Sequence, residues 1–319
     1  MEMYRSAFLN YLNELQIEKE PKNLYTPVDY IMGLGGKRMR PVLVLMSCDL
    51  FGGDYMKAME AALSVEMFHN FTLIHDDIMD RADLRRGHQT VHKKWDLNTG
   101  ILSGDALMIM SNQRLENYSG ETFKALISLY NKTALEVCEG QQLDVDFEEM
   151  TEVPLESYIQ MISFKTAVLV GASLKMGAII SHSPPIDQDK IYGFGLNLGI
   201  AFQLQDDYLD TFGTVDFGKK IGGDILEGKK TFLYIKALEL ANETDREELL
   251  RLYGQEKDSE TKIERVKQLF MKYGLHELLL SSIEEYTLKA IQDIDSLTIQ
   301  DAKKQVFKDF GMALMNRKT

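Results

Sequence analysis

Apolar residues recur along this chain at the three- and four-residue intervals of one helix face almost from end to end. No run of alternating apolar and polar positions long enough for a strand interrupts them. The pattern predicts an all-α protein. Breaks fall at Leu34-Gly35-Gly36, Phe51-Gly52-Gly53, Ser119-Gly120, Thr151 to Pro154, Ser181 to Asp187, Phe212 to Gly228, Gly254 to Glu260 and Lys272 to Leu275. Helix starts are signalled at Thr26-Pro27, at Pro184-Pro185, and at Thr298 with Asp301 three residues on. The most apolar long stretch, Tyr158 to Ser181, carries Lys165 and Lys175 inside it. A central lysine is costly in lipid, so this segment reads as a buried core helix and no membrane span is expected. Glu243 to Lys272, rich in Asp, Glu and Lys, reads as solvated helix faces with a polar connector.

No Pro/Ser-rich linker, composition shift or fixed-period repeat divides the sequence, which predicts one large helical domain over residues 1–319. Only 6 prolines leave room for long helices, since each interior Pro would cost roughly 3 kcal/mol. Hydrophobic residues at 45% and charged residues at 27% exclude disordered, collagen-like and disulfide-scaffold classes. A net charge of −13 disfavours nucleic acid as a partner, and any polyanion would need locally concentrated cations or bound metal. Cys48 and Cys138 sit in apolar sequence without metal-ligand spacing and read as reduced thiols. The first residues, MEMYRSAFLNYLNEL, form an amphipathic helix pattern without the basic-then-apolar order of a signal peptide, so a cytoplasmic protein is expected.

Carboxylates interrupt two of the apolar helices. In Phe71-Thr72-Leu73-Ile74-His75-Asp76-Asp77-Ile78-Met79-Asp80, Asp76 and Asp80 share a helix face and Asp77 lies about a hundred degrees round the axis. Phe202-Gln203-Leu204-Gln205-Asp206-Asp207-Tyr208-Leu209-Asp210 repeats that spacing. Like charges so placed repel and call for a cation. Oxygen-only ligands on two helices suit Mg²⁺, which completes its shell with water and phosphate, so paired clusters describe a clamp for a diphosphate. Cations for it stand at Gly35-Gly36-Lys37-Arg38-Met39-Arg40-Pro41, a glycine-initiated helix start, and at Arg85-Arg86-Gly87 just beyond the first cluster.

GGKRMRP, DDIMD followed by RRG, FKT, FQLQDDYLD and GKKIGGD stand in the order and approximate spacing of the trans-isoprenyl diphosphate synthases, the polyprenyl synthetase family, which the chain resembles from about Gly35 to Lys230. The resemblance implies a helical bundle around a deep central cavity, with both aspartate motifs at its mouth, and a homodimer. It assigns Mg²⁺ to Asp76, Asp77 and Asp80 on one side and to Asp206 on the other, with Asp207 and Asp210 supporting. Lys37, Arg40, His69 and Arg86 resemble the residues that hold the diphosphate of isopentenyl diphosphate. Arg85, Lys165, Lys219 and Lys229 resemble those on the allylic diphosphate, with Lys220 and Lys230 adjoining the last two. Thr166 and Gln203 resemble the oxygens facing the developing carbocation, and Gln141 and Asp144 fit the family's GQxxD element.

The activity so implied is Mg²⁺-dependent condensation of isopentenyl diphosphate with an allylic diphosphate, five carbons per cycle. Phe71, five residues before Asp76, and Phe68 on the same face stand where family members stop the growing chain, while the intervening position before Asp76 is the small Thr72. That arrangement resembles geranylgeranyl-forming enzymes, with farnesyl-forming ones next. A class I terpene cyclase would need no isopentenyl site, against GGKRMRP and a second DDxxD. A non-catalytic subunit of a heteromeric synthase would be expected to lose the metal carboxylates, and both motifs are intact.

Overall fold

The computed structural model describes residues 1–15, 17, 19–213, 221–255 and 260–315. The chain is 82% helical, as the periodicity requires. In order come α1 (Glu2–Glu14), α2 (Lys22–Gly33), α3 (Met39–Leu50), α4 (Met59–Met79), a short α5 (Val91–Lys94), α6 (Leu97–Arg114), α7 (Gly120–Glu149) and α8 (Leu155–Ile162). A π-helical segment, Ser163–Ala167, joins α8 to α9 (Val168–Ile180). Then follow α10 (Pro185–Phe212), α11 (Gly223–Glu227), α12 (Phe232–Leu240), α13 (Glu243–Gln255), α14 (Glu260–Lys272), α15 (Leu275–Asp295) and α16 (Asp301–Met315).

Several sequence expectations shift. β1 (Leu84–Arg85) pairs antiparallel with β2 (His88–Gln89), a hairpin of two-residue strands too short to show an alternation. Pro27 lies inside α2, which starts five residues earlier at Lys22. The helix signalled by Thr298 begins instead at Asp301.

The chain divides into two compact units, residues 1–132 with 172–189 and residues 133–171 with 190–319. All three crossings fall inside helices, which is why no linker is visible in the sequence. In the first unit, every residue of α4 from Ala61 to Phe68 is buried, so the helix has no solvent face there. The carboxy-terminal half of α9 packs tightly on α3. Ser47 Oγ donates to the Leu174 carbonyl at 2.7 Å, and a β-carbon on Gly177 would fall 2.3 Å from the Val44 oxygen.

In the second unit the core gathers Phe147, Tyr158, Leu204, Phe232, Tyr234 and Phe270, each large side chain contributing roughly 1.5–3 kcal/mol through burial. Leu155–Ile180 is long and apolar enough to cross a membrane by length and composition, yet 72% of its most apolar window is buried inside the protein. Both cysteines are free thiols. Burial pushes the Cys48 thiol up to about 11, whereas Cys138 is exposed, against the apolar surroundings expected for it.

Candidate active site

In the first unit, α4 ends on the aspartates. Asp76 is half-buried in its last turn, Asp80 caps it and is exposed, and both lie at the negative end of the helix dipole, where a cation is favoured. Asp77 is 1% exposed and engaged by Arg85, whose Nε donates to Oδ1 and Oδ2 at 2.8 and 2.9 Å while Nη2 reaches Oδ1 at 2.7 Å. The β1–β2 hairpin makes this reach. Arg86 and Gly87 at its tip both have positive φ, 54° and 78°, as a tight turn of this hand requires. Arg85 is thereby carried back over α4, and the Arg86 guanidinium lies on the glycine loop before α3, donating to the Gly35 carbonyl. Gly36 has a φ of 119°, which favours glycine, and a β-carbon there would also meet that guanidinium at 2.7 Å.

The basic start of α3 sorts its three cations. Arg38, with left-handed φ of 50°, turns inward and is buried against Glu66 and the Met32 carbonyl. Glu66 also accepts from Asn70 at 3.2 Å. Lys37 is exposed. Arg40 Nη1 donates to His69 Nε2 at 3.2 Å. A guanidinium has no acceptor, so Nε2 must carry the lone pair and His69 is neutral. Burial, with Arg40, Arg86, Arg85 and Arg38 around it, holds His69 well below its ordinary value. Four guanidiniums act on this one neutral imidazole and concentrate positive charge locally in an acidic protein.

Behind Asp76, Phe68 and Phe71 are buried, their ring centroids 5.4 Å apart. Phe68 lies edge-on to Tyr130 at 5.5 Å, and the Tyr130 hydroxyl meets Ser111 and the Met108 carbonyl. The Thr72 hydroxyl donates back to the His69 carbonyl at 2.8 Å.

The second unit holds a cleft, and Lys165, Thr166, Gln203, Asp207 and Lys229 all line it. Lys165 and Thr166 stand on the π-helical segment, a widened turn that re-aims side chains and recurs at functional sites. Two glycines hold that turn. A β-carbon on Gly140 would come within 2.2 Å of the Lys165 nitrogen, and one on Gly199 within 2.7 Å of Ala167. Lys165 Nζ donates to Asp144 at 2.5 Å, which joins the GQxxD element to the site, and Gln141 is half-buried on the same helix.

Asp206 is half-buried. Asp207 is 5% exposed and bonded by the Tyr158 hydroxyl. Its burial and the charge of Asp224 push the carboxyl well above the carboxylate range, against the pull of hydrogen bonds from Tyr158 and Gln203. Asp210 accepts from the Asp224 amide at 3.1 Å. Lys230 also lines the cleft, donating to the Gly228 carbonyl at 2.8 Å, whereas Lys229 pairs with Glu227 at 3.3 Å. Lys219 and Lys220 lie outside the described residues.

Among the described residues no three acidic, imidazole or thiol groups converge on one point. The donors available are carboxylate oxygens alone, which suits a hard divalent ion that takes the rest of its shell from water and phosphate. Sequence reasoning missed Tyr158, Asp224, Glu66 and the inward turn of Arg38. Tyr158 had a signal, standing seven residues, two turns, before Lys165.

Residues 21–270 match the polyprenyl synthetase family model. The chain belongs to the polyprenyl synthetase family. It is therefore a prenyltransferase. It is 40% identical over 262 residues to a geranylgeranyl pyrophosphate synthase of Geoglobus acetivorans, covering 81% of this chain and 80% of that one. A geranylgeranyl diphosphate synthase of Saccharolobus solfataricus is 36% identical over 310 residues, 94% and 93% of the two chains. A crystal structure of a geranylgeranyl pyrophosphate synthase superimposes with a TM-score of 0.94 at 49% identity, over 100% of this chain and 99% of that one.

Proposed function

We propose that the protein condenses isopentenyl diphosphate head-to-tail with an allylic diphosphate and releases chiefly geranylgeranyl diphosphate. The observation that carries this reading is the cleft of the second unit, where Lys165 and Thr166 of the FKT segment meet Gln203 and Asp207 of the second aspartate motif and Lys229 beyond it. Phosphate-binding cations and cation-facing oxygens on one wall are what ionising an allylic diphosphate needs.

Lys165, Lys229 and Arg85 hold the allylic diphosphate. Lys37, Arg40, His69 and Arg86 hold the homoallylic one, supported by the four guanidiniums around His69. Asp76, Asp80 and Asp206 would hold Mg²⁺, which when bound neutralises charge on the departing diphosphate. The allylic C–O bond breaks with its electron pair leaving on diphosphate, while Thr166 and Gln203 turn oxygens to the developing cation. The double bond of isopentenyl diphosphate then forms the new carbon–carbon bond, and a proton passes from the adduct to the released diphosphate. Water is kept from the cation by the apolar wall of Phe147, Met161 and Ile162.

The paired rings of Phe68 and Phe71 support a short product. Residues 1–319 act as one catalytic domain in a homodimer, a pairing supported by the exposed apolar side chains Leu97, Ile101, Leu102 and Ile109 on α6. Two free thiols support a reducing, cytoplasmic setting. Incubation with isopentenyl diphosphate, Mg²⁺ and dimethylallyl, geranyl or farnesyl diphosphate in turn, followed by sizing of the prenyl alcohols, tests the reading. A twenty-carbon product supports it, a fifteen-carbon product makes the enzyme a farnesyl diphosphate synthase, and no elongation with any primer overturns it.

A further inference from the structure

Tyr158 is a buried polar side chain that the mechanism leaves without a task. It is 2% exposed on α8, and its hydroxyl donates to Asp207 Oδ2 on α10. Asp207 Oδ1 in turn receives the Gln203 side-chain nitrogen at 3.5 Å, four residues back and so on the same helix face. All three residues line the cleft of the second unit.

A primary amide has two unlike ends, a carbonyl oxygen that stabilises positive charge and an NH₂ that repels it. Rotation by half a turn exchanges them at little steric cost. Asp207, as an acceptor, selects the NH₂, and the oxygen is the end of Gln203 left for the cleft. Asp207 Oδ2 is taken by the Tyr158 hydroxyl, which leaves Oδ1 to face the Gln203 amide. The Tyr158 hydroxyl is the donor that fixes Asp207. Asp207 lies about a hundred degrees round the helix from Asp206, so the two neighbours have separate work.

We infer that Tyr158 is a positioning residue which, through Asp207, keeps the Gln203 amide oxygen turned toward the reacting allylic carbon. Asp207 is thereby an orienting group rather than a metal ligand. The inference rests on the condensation reading above.

The test is a double-mutant cycle on the full-length enzyme, with Tyr158→Phe, Gln203→Leu and the pair. Wild-type elongation is measured first, and its absence overturns the condensation reading and this inference with it. In an active enzyme, Tyr158→Phe leaves a buried Asp207 oxygen without its hydrogen bond, and kcat should fall about ten- to a hundredfold. Both Michaelis constants and the Mg²⁺ concentration for half-maximal rate should stay within about twofold.

Because Tyr158 acts through Gln203, the double variant should be no slower than Gln203→Leu alone. Losses that multiply, an unchanged kcat in Tyr158→Phe, or a loss recovered by added Mg²⁺ would each overturn the assignment. Should Tyr158→Phe fail to fold by circular dichroism, the same cycle is run with Asp207→Asn, whose loss must likewise vanish in the Gln203→Leu background.

Discussion

A β-carbon added to Gly140 would lie 2.2 Å from the backbone nitrogen of Lys165 and 2.8 Å from its α-carbon, so α7 meets the π-helical turn backbone to backbone. Lys165 and Thr166 take their places from that contact, and displacing a lysine of the proposed allylic site costs rate out of proportion to the movement. Gly140→Ala should therefore lower kcat/KM for the allylic substrate at least tenfold, with about 1–3 kcal/mol of stability lost to overpacking. Steady-state kinetics beside urea unfolding checks this. Wild-type allylic kinetics in Gly140→Ala would mean that the turn can move without consequence.

The first aspartate cluster divides its labour. Asp77 is buried under Arg85, whereas Asp76 is half-buried and Asp80 exposed. Removing Asp77 leaves a partly buried guanidinium unpaired, at a cost of about 3 kcal/mol. Asp77→Ala should melt several degrees below the wild type. Asp76→Ala and Asp206→Ala should keep the wild-type melting temperature and lose Mg²⁺-dependent activity, as the wild type should in excess chelator. Thermal melts and product formation measured side by side separate the two effects. Full turnover by Asp76→Ala, or a wild-type melt for Asp77→Ala, would contradict the division.

The helical class and the two carboxylate clusters were legible because each rests on spacing within one helix, as with Asp76 and Asp80 or Asp206 and Asp210. What depends on contacts between distant segments was not. The Arg85-Arg86-Gly87 turn shows no strand pattern because its strands are two residues long. GGKRMRP shows three cations without showing that Arg38 turns inward, since that direction is set by Glu66 twenty-eight residues on.

Lys262 departs most from the expectation of solvated helix faces. It is 2% exposed, with Nζ 5.5 Å from the centre of the Tyr253 ring. Read at helical intervals it shares a face with buried Val266, Leu269 and Phe270, a stripe hidden by the surrounding charge. The π-helical turn was not legible either, since the close approaches that accommodate it come from Gly140 and Gly199 on other helices.

His69 carries a pH prediction. Its folded-state value is held well below the ordinary 6.5 by burial and four arginines, while in the unfolded chain it titrates normally. As pH falls through about 6.5 the unfolded state gains a proton that the folded state refuses. The stability tied to neutral His69 is thus complete above that pH and is lost below it, by about 1.4 kcal/mol per pH unit. His69→Gln keeps an acceptor for Arg40 and cannot titrate. Between pH 7.5 and 5.5 the wild type should lose more unfolding free energy than His69→Gln. Equal losses would show that His69 protonates freely in the folded protein.

The last prediction concerns where chain growth stops. Phe71 is 7% exposed and Phe68 1%, and the second ring is backed by Tyr130, itself tied by its hydroxyl to Ser111 and the Met108 carbonyl. Phe71 is further held by the His75 ring, 4.8 Å away centre to centre. A ring packed on two sides cannot yield to a growing isoprenoid, because protein interiors are filled nearly to crystal density. Thr72 offers no such block, being small, with its hydroxyl bonded back to its own helix. Phe71→Ala should open room for at least one more five-carbon unit and shift the products beyond twenty carbons, leaving the aspartates and basic residues in place. The substitution should also cost about 3–5 kcal/mol as a large-to-small change in a packed site, so circular dichroism and a melt come before product sizing. If a folded and active Phe71→Ala enzyme makes the wild-type product distribution, the aromatic pair is core packing alone, and the case for a twenty-carbon product loses its structural support.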